Sequence, residues 1–475
     1  MSTPSTTSPP HRRRNHSTNP FRKAALIAGG CLALGGVIAI FAGEAWLESY
    51  LQSTEFRQRV EAGLGGHLYA DIQIAPFKRE GISLFSDSLD SEGREGAAYK
   101  QLKLRSLRAD LNLGALWHRA WRVDFMNVQQ LDLNLDVHPT SPNSTDAAPL
   151  APKPSGWLAS LLPNHTEIGT LKAERSAIQK GQVQAQQVRL TATQNKEDWD
   201  ILAEGGELQI PGLPTLEISN AKMVLHQKAL ILRNSRFLFK KGGETTITGE
   251  LSDATGVALD AHLENVNIDP FLSNWWQTRI KGNVQGDLRY KVPAGKPTES
   301  VLEGTIQLKG GKLEAFPILS HIDTFLGNPR FRSVPLKTAS AHILVTKERA
   351  IIRDLDLDGD GLMRITGNIV IEGSKLQGTI QLGLSPSLIQ WLPGTQTKIF
   401  TDKRDGYVWT SIQLSGTTNN PMEDLSEKLL LMGKDAVINT IKSVVPSGLP
   451  TPDPTKAQEA AKGVLDTLKA VIPGR

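Results

Sequence analysis

In stretch after stretch of this chain, apolar residues, chiefly leucine, isoleucine and valine, recur at every second position with polar residues between them. Leu102, Leu104 and later Leu111, Leu113 alternate with Lys103, Arg105 and Asn112. Leu131, Leu133, Leu135 and Val137 alternate with Asp132, Asn134 and Asp136. The pattern resumes at Val188–Leu190–Ala192, Leu208–Ile210, Leu216–Ile218 and Val257–Leu259–Ala261–Leu263. Side chains on a strand point alternately to opposite faces, so this period predicts strands with one apolar and one wet face. Frequent punctuation by 42 glycines and 27 prolines favours many short strands over long helices. The fold class expected is mainly β.

One segment breaks the pattern. Ala24–Ala42 (AALIAGGCLALGGVIAIFA) carries no charge, and about 20 such residues in a helix span the ~30 Å hydrocarbon core. Arg12, Arg13, Arg14, Arg22 and Lys23 precede it, and Glu44 and Glu48 follow. Basic flanks stay in the cytoplasm, so the expectation is an uncleaved single-pass inner-membrane anchor, N-terminus inside and the bulk of the chain outside, in the periplasm. Arg22, Lys23, Trp46 and Tyr50 are the expected interfacial anchors. A cleaved signal peptide fits less well, because its apolar stretch is only ~7–15 residues. A lipoprotein cysteine at Cys31 fits poorly, since the apolar run continues past it.

The remaining segments follow from composition. Residues 1–23 form a Ser/Thr/Pro-rich basic tail, and 24–43 the anchor. Residues 44–138 hold a helix, ended by Gly65-Gly66, and a first β region. Residues 139–156 are a Pro/Ser/Ala-rich linker or loop. A middle β region covers 157–292, and a last β region, after the break at Val292–Pro297, covers 293–421. An amphipathic helical tail fills 422–475, with Leu425 and Leu429 on its apolar side. A short Gly-centred repeat recurs as ITGEL (247–251), LEGTIQL (302–308), ITGNIVI (365–371) and LQGTIQL (376–382). Each glycine there predicts a bulge or tight bend.

Chemistry-bearing constellations are few. The net charge of +4 owes much to the first 23 residues, which hold five Lys/Arg and no acid, so the remainder is near neutral. That argues against a nucleic-acid binder, which would concentrate basic residues in its folded part. Asp354-Leu-Asp356-Leu-Asp358-Gly359 matches the start of a calcium loop, but position twelve is Ile365, where a bidentate Glu is needed. A solvated acidic strand ending in a Gly turn fits better. His226, His262 and His342 stand on polar strand positions. Trp275-Trp276 predicts a short helix capping an apolar interior. No catalytic residue, metal or cofactor is expected.

The order of these segments resembles the AsmA-like family of envelope proteins. The likeness rests on Leu64–Ile74 (LGGHLYADIQI) and on the paired stretches Leu102–Leu116 and Val123–Val137. It is strongest over Val257–Pro421, where NVNIDPFLSNWW, LEGTIQLKGGKLEAFPILSHIDTFL, IIRDLDLDGDGLMRITGNIVIEG and IQLSGTTNNPMEDL follow the family's order. The resemblance implies a long twisted antiparallel sheet curved into an open groove, and a role in phospholipid movement or outer-membrane assembly. Its lining would be Leu131, Leu133, Leu135, Val257, Leu259, Leu263, Ile306, Leu308, Ile365, Ile369, Ile380 and Leu382. Phospholipid, the inner membrane and outer-membrane or other envelope proteins are the partners so implied. The alternation by itself favours a β-sandwich with a closed core, which would act as an envelope scaffold without lipid cargo; it is the resemblance that points to the groove.

Overall fold

In a computed structural model the alternating stretches are strands, most of them paired as antiparallel hairpins. The structure describes residues 49–95, 97–112, 114, 120–136, 165–227, 229–316, 319–320, 322–323, 328–389 and 398–429. The Ala24–Ala42 run, Arg22, Lys23, Trp46, the 139–156 linker and the tail beyond 429 lie outside them. Among the described residues no helix is long and apolar enough to cross a membrane. Contacts divide the chain into two units: one reaches Asp132 and includes Asp136–Ile168, and the other comprises Leu133–Leu135 and everything from Gly169.

The first unit opens with α1 (Thr54–Leu68), followed by β1 (Ala70–Ile74), β2 (Lys78–Glu80), β3 (Ser83–Gly93), β4 (Gln101–Asn112) and β5 (Ala120–Asn134). Ser53 starts the helix, its hydroxyl accepting from the Phe56 N–H at 3.1 Å. The helix runs through Gly65-Gly66 rather than ending there. It stops at Tyr69, whose left-handed backbone (φ 52°) lets its N–H return to the Gly65 carbonyl. Gly65 is needed inside the helix because a Cβ would stand 2.8 Å from the Ala70 carbonyl oxygen. β1 and β2 both pair with β3, and β3 with β4. Leu51, Phe56, Leu84, Leu111 and Val123 form this unit's core. Tyr50 packs on that core, its ring 5.4 Å from Phe56 and its hydroxyl accepting from Arg59 at 3.0 Å.

The second unit carries the long sheet. Its strands begin with β6 (His165–Lys180), which belongs to it from Gly169, then β7 (Val183–Asn195), β8 (Asp198–Glu204), β9 (Glu207–Gln209), β10 (Leu216–His226) and β11 (Ala229–Phe239). β12 (Glu244–Ser252) and β13 (Gly256–Asn267) follow, then the short helix α2 (Asn274–Gln277) and β14 (Ile280–Pro293). Next come β15 (Val301–Glu314), β16 (Ser333–Pro335), β17 (Thr338–Thr346), β18 (Arg349–Asp358), β19 (Met363–Glu372) and β20 (Lys375–Leu384). The described part closes with α3 (Pro386–Ile389), β21 (Asp402–Arg404), β22 (Tyr407–Thr417), β23 (Asn420–Glu423) and a helical turn over 425–429. From β10 to β20 each long strand pairs antiparallel with the next, and β22 completes the order against β20. The Val292–Pro297 break is the turn of one such hairpin, β14–β15.

Candidate functional site

Residues opposite each other on neighbouring strands share a face, so the register sorts the side chains. One row runs Gly249–Leu259–Tyr290–Leu302–Val345–Ala350–Ile371–Leu376 across eight strands. The next runs Ile247–Ala261–Leu288–Gly304–Ile343–Ile352–Ile369–Gly378. A third begins Thr245–Leu263–Gly286–Ile306–Ala341. Every position in these rows is apolar, glycine or threonine. The opposite face is wet: Arg289 pairs with Asp260 at 2.7 Å, and His262 with Asp287 at 2.7 Å, all four side chains exposed. The Asp260 carboxylate raises the Arg289 pKa by hydrogen bond and charge.

Burial along the apolar face is graded. Near the margin that carries the 240–243 and 268–279 connections, Phe237, Thr245, Val266, Val284 and Leu313 are buried. Toward the opposite margin the face opens, and Leu225 and Tyr290 keep 36% and 38% of their surface in solvent. Val257, Leu259, Leu263 and Ile306 lie between these extremes, half-buried.

The C-terminal end of the face is covered. Ile365, Ile380 and Leu382 join a core with Leu384, Val408 and Ile412 that is roofed by residues outside the long strands: Leu319, Ile322, Phe331, Ile389, Phe400, Leu425 and Leu429. Leu308 and Ile369 pack on its edge. The residues named as a common lining therefore divide: Ile365, Ile380 and Leu382 sit in a packed core, while Val257, Leu259, Leu263 and Ile306 stand on the more open part. On β5, Leu131 is buried and Leu133 half-buried, and Leu135, just past the strand's end, is half-buried. Leu288, Leu302, Ile343, Val345 and Ile352 belong to the same face. Their signal was the same two-residue alternation, carried on through β14, β15, β17 and β18.

The sheet is bent at regular places. Register shifts interrupt β11 between Leu232 and Ser235, β13 between Leu263 and Val266, and β18 between Ile352 and Leu355. Each holds one residue in the left-handed region: Asn234 (φ 47°), Asn265 (φ 52°) and Asp354 (φ 50°). Asn and Asp tolerate that conformation better than most residues. Such bulges bend a strand and increase its local twist. Asp354, the first position of the calcium-loop match, is thus a bulge residue, its N–H donating to Asn368 Oδ1 at 3.2 Å. Asp356 is engaged by both ends of the Arg364 guanidinium at 2.8 Å. No cluster of metal-binding side chains occurs among the described residues.

Trp275 and Trp276 lie on α2, rings 4.6 Å apart, and both meet Phe316 on the rim of the covered core. The Arg279 guanidinium stacks over Trp275 at 3.9 Å. Trp276 Nε1 donates to the Thr418 carbonyl at 2.7 Å, tying the β13–β14 connection to the β22–β23 turn. Trp276→Phe removes this donor together with the pyrrole half of the indole, so it is expected to cost at least about 0.5–1.5 kcal/mol in a urea titration.

Comparison with protein-family models, with curated proteins and with solved structures finds no match in any of the three.

Proposed function

We propose that this chain is an inner-membrane-anchored periplasmic protein of lipid transport or outer-membrane assembly, which shields phospholipid acyl chains on the apolar face of its sheet. One observation carries the reading. From Leu259 through Tyr290, Leu302 and Val345 to Ile371 the row holds no charged side chain and keeps part of its surface in solvent, closing only at buried Leu376, and the reverse face is charged. A run of half-exposed apolar side chains is what an acyl chain needs. Each methylene left in water costs ~0.8 kcal/mol, about 24 kcal/mol for a two-chain lipid with roughly thirty of them. The resemblance to AsmA-like proteins supports the same reading, as does the Ala24–Ala42 run, which would tether the sheet beside its lipid source. The bulges at Asn234, Asn265 and Asp354 supply bends that could curl such a sheet around a chain.

A second reading, an envelope scaffold with a closed core and no lipid, is favoured by the roofed cluster around Leu382. Lipid content separates the two. Purified full-length protein is expected to yield stoichiometric phospholipid in an organic extract, measured by mass spectrometry. Leu259→Asp and Ile306→Asp are expected to lose it while remaining folded. Loss of folding in these variants, or a lipid-free wild-type protein, would count for the scaffold.

A further inference from the structure

We infer that the half-open part of the apolar face is a docking site for this chain's own residues 457–472, which cover it when no acyl chain does. The inference needs the open face but no lipid cargo. From Leu259 to Ile371 the first row crosses β13, β14, β15, β17, β18 and β19, and every side chain in it is partly exposed. Five strand spacings of ~4.8 Å make this stretch about 24 Å long. Beyond it the row is buried at Leu376, and the adjoining part of the same face is roofed by a core that includes Leu425 and Leu429. The chain therefore leaves the described residues while already seated on this face.

The sequence past Leu429 supplies a matching occupant. Ala461, Val464, Leu465, Leu468, Val471 and Ile472 recur at helical spacing, and Glu459, Lys462, Asp466 and Lys469 fall on the other side. At ~1.5 Å per residue, 457–472 as a helix measures about 24 Å, the length of the half-open row. An amphipathic helix laid with its apolar stripe in an apolar groove is a recurrent mode of recognition. Two features set this segment apart from a helix made for a membrane surface. Its polar side balances Glu459 and Asp466 against Lys462 and Lys469 instead of being rich in Lys and Arg, and its apolar side has neither Trp nor Phe. The tether selects the chain's own segment over that of another copy. Residues 430–456 extend to about 90 Å at ~3.3 Å each. From β22 back to β13 is only about 34 Å, seven spacings of ~4.8 Å. A flexibly tethered segment that spans its site acts at an effective concentration on the order of millimolar.

The test uses detergent-free extracts of cells making the full-length chain, with Cys31→Ser removing the native thiol. Leu302 and Val464 are each near the middle of their stretch, so either direction of the helix brings them together. Leu302→Cys/Val464→Cys is expected to close an intrachain disulfide under a mild oxidant at least tenfold faster than Leu302→Cys/Asp466→Cys, whose second thiol is on the polar side. Adding Leu465→Asp and Leu468→Asp should slow the first pair at least tenfold. Equal rates at 464 and 466, a rate unmoved by the two aspartates, or disulfides formed mainly between two copies would overturn the proposal. Phospholipid in an organic extract is read separately. Lipid-free protein with the fast intrachain disulfide would retire the lipid reading and uphold this one, and lipid-bearing protein without that disulfide would do the reverse.

Discussion

Leu382→Ala is expected to destabilise the protein by about 2–5 kcal/mol, the range for a fully buried leucine whose site cannot collapse. Leu382 has no exposed surface, and its neighbours Ile365 and Ile412 are fixed on the adjacent strands β19 and β22. The same substitution at Leu259 is expected to cost about 1 kcal/mol or less. Leu259 is half-buried, faces Gly249 on one side and Tyr290 on the other, and leaves no closed cavity when shortened. Both residues sit on apolar positions of long antiparallel strands, so the contrast isolates the covering of the face from its polarity. Urea titrations of the two variants, followed by near-ultraviolet circular dichroism, measure it. Equal losses would place Leu259 in a packed core and remove the physical basis for acyl-chain binding there.

Much of this architecture was legible in the residues. The alternation Val257–Leu259–Ala261–Leu263 placed those side chains on one face, and β13 bears that out. What alternation could not distinguish was whether a face is covered, because Ile365 and Leu259 look alike in sequence. The difference comes from Phe331, Ile389, Phe400 and Leu425, which lie in irregular or helical connections between or after the strands and have no two-residue period. The end of α1 was misplaced for a related reason. Gly65-Gly66 carries the usual helix-stop composition, but Gly65 is there because the chain turns back close to it at Ala70. The tie between Trp276 and Thr418, 142 residues apart, has no local signature at all. The acidic run at Asp354–Asp358 illustrates the opposite case, where a motif match dissolves into a bulge, an Arg364 fork and a turn once the register is known.

The Gly-centred repeat marks a bend at two of its four places, Gly249 and Gly367, whereas Gly304 and Gly378 have no positive φ and pair in unbroken register with β14, β17 and β19; Gly367 carries the second large effect. Gly367→Val is expected to cost more than ~3 kcal/mol, or to prevent soluble accumulation, because two penalties fall on one residue. Its φ of 153° lies where side-chain-bearing residues are strained, and a Cβ there would stand 2.4 Å from the Thr379 carbonyl oxygen. That oxygen belongs to the adjoining strand β20 and cannot swing aside as a flexible side chain would. Across the other side Gly367 faces Leu355, immediately after the Asp354 bulge, so the bulge and the glycine form one bend shared by two strands. Gly249 repeats the arrangement opposite the Asn234 bulge, with φ 141° and a Cβ that would approach the Ala258 oxygen to 2.1 Å. Gly63→Ala in α1 provides the control, since a Cβ there meets nothing within 4 Å. It is expected to stabilise by about 0.5–1 kcal/mol through helix propensity. Thermal unfolding of the two variants reads both signs in one experiment. A tolerated Gly367→Val would mean that the sheet does not need this bend, and that the repeat records strand propensity alone.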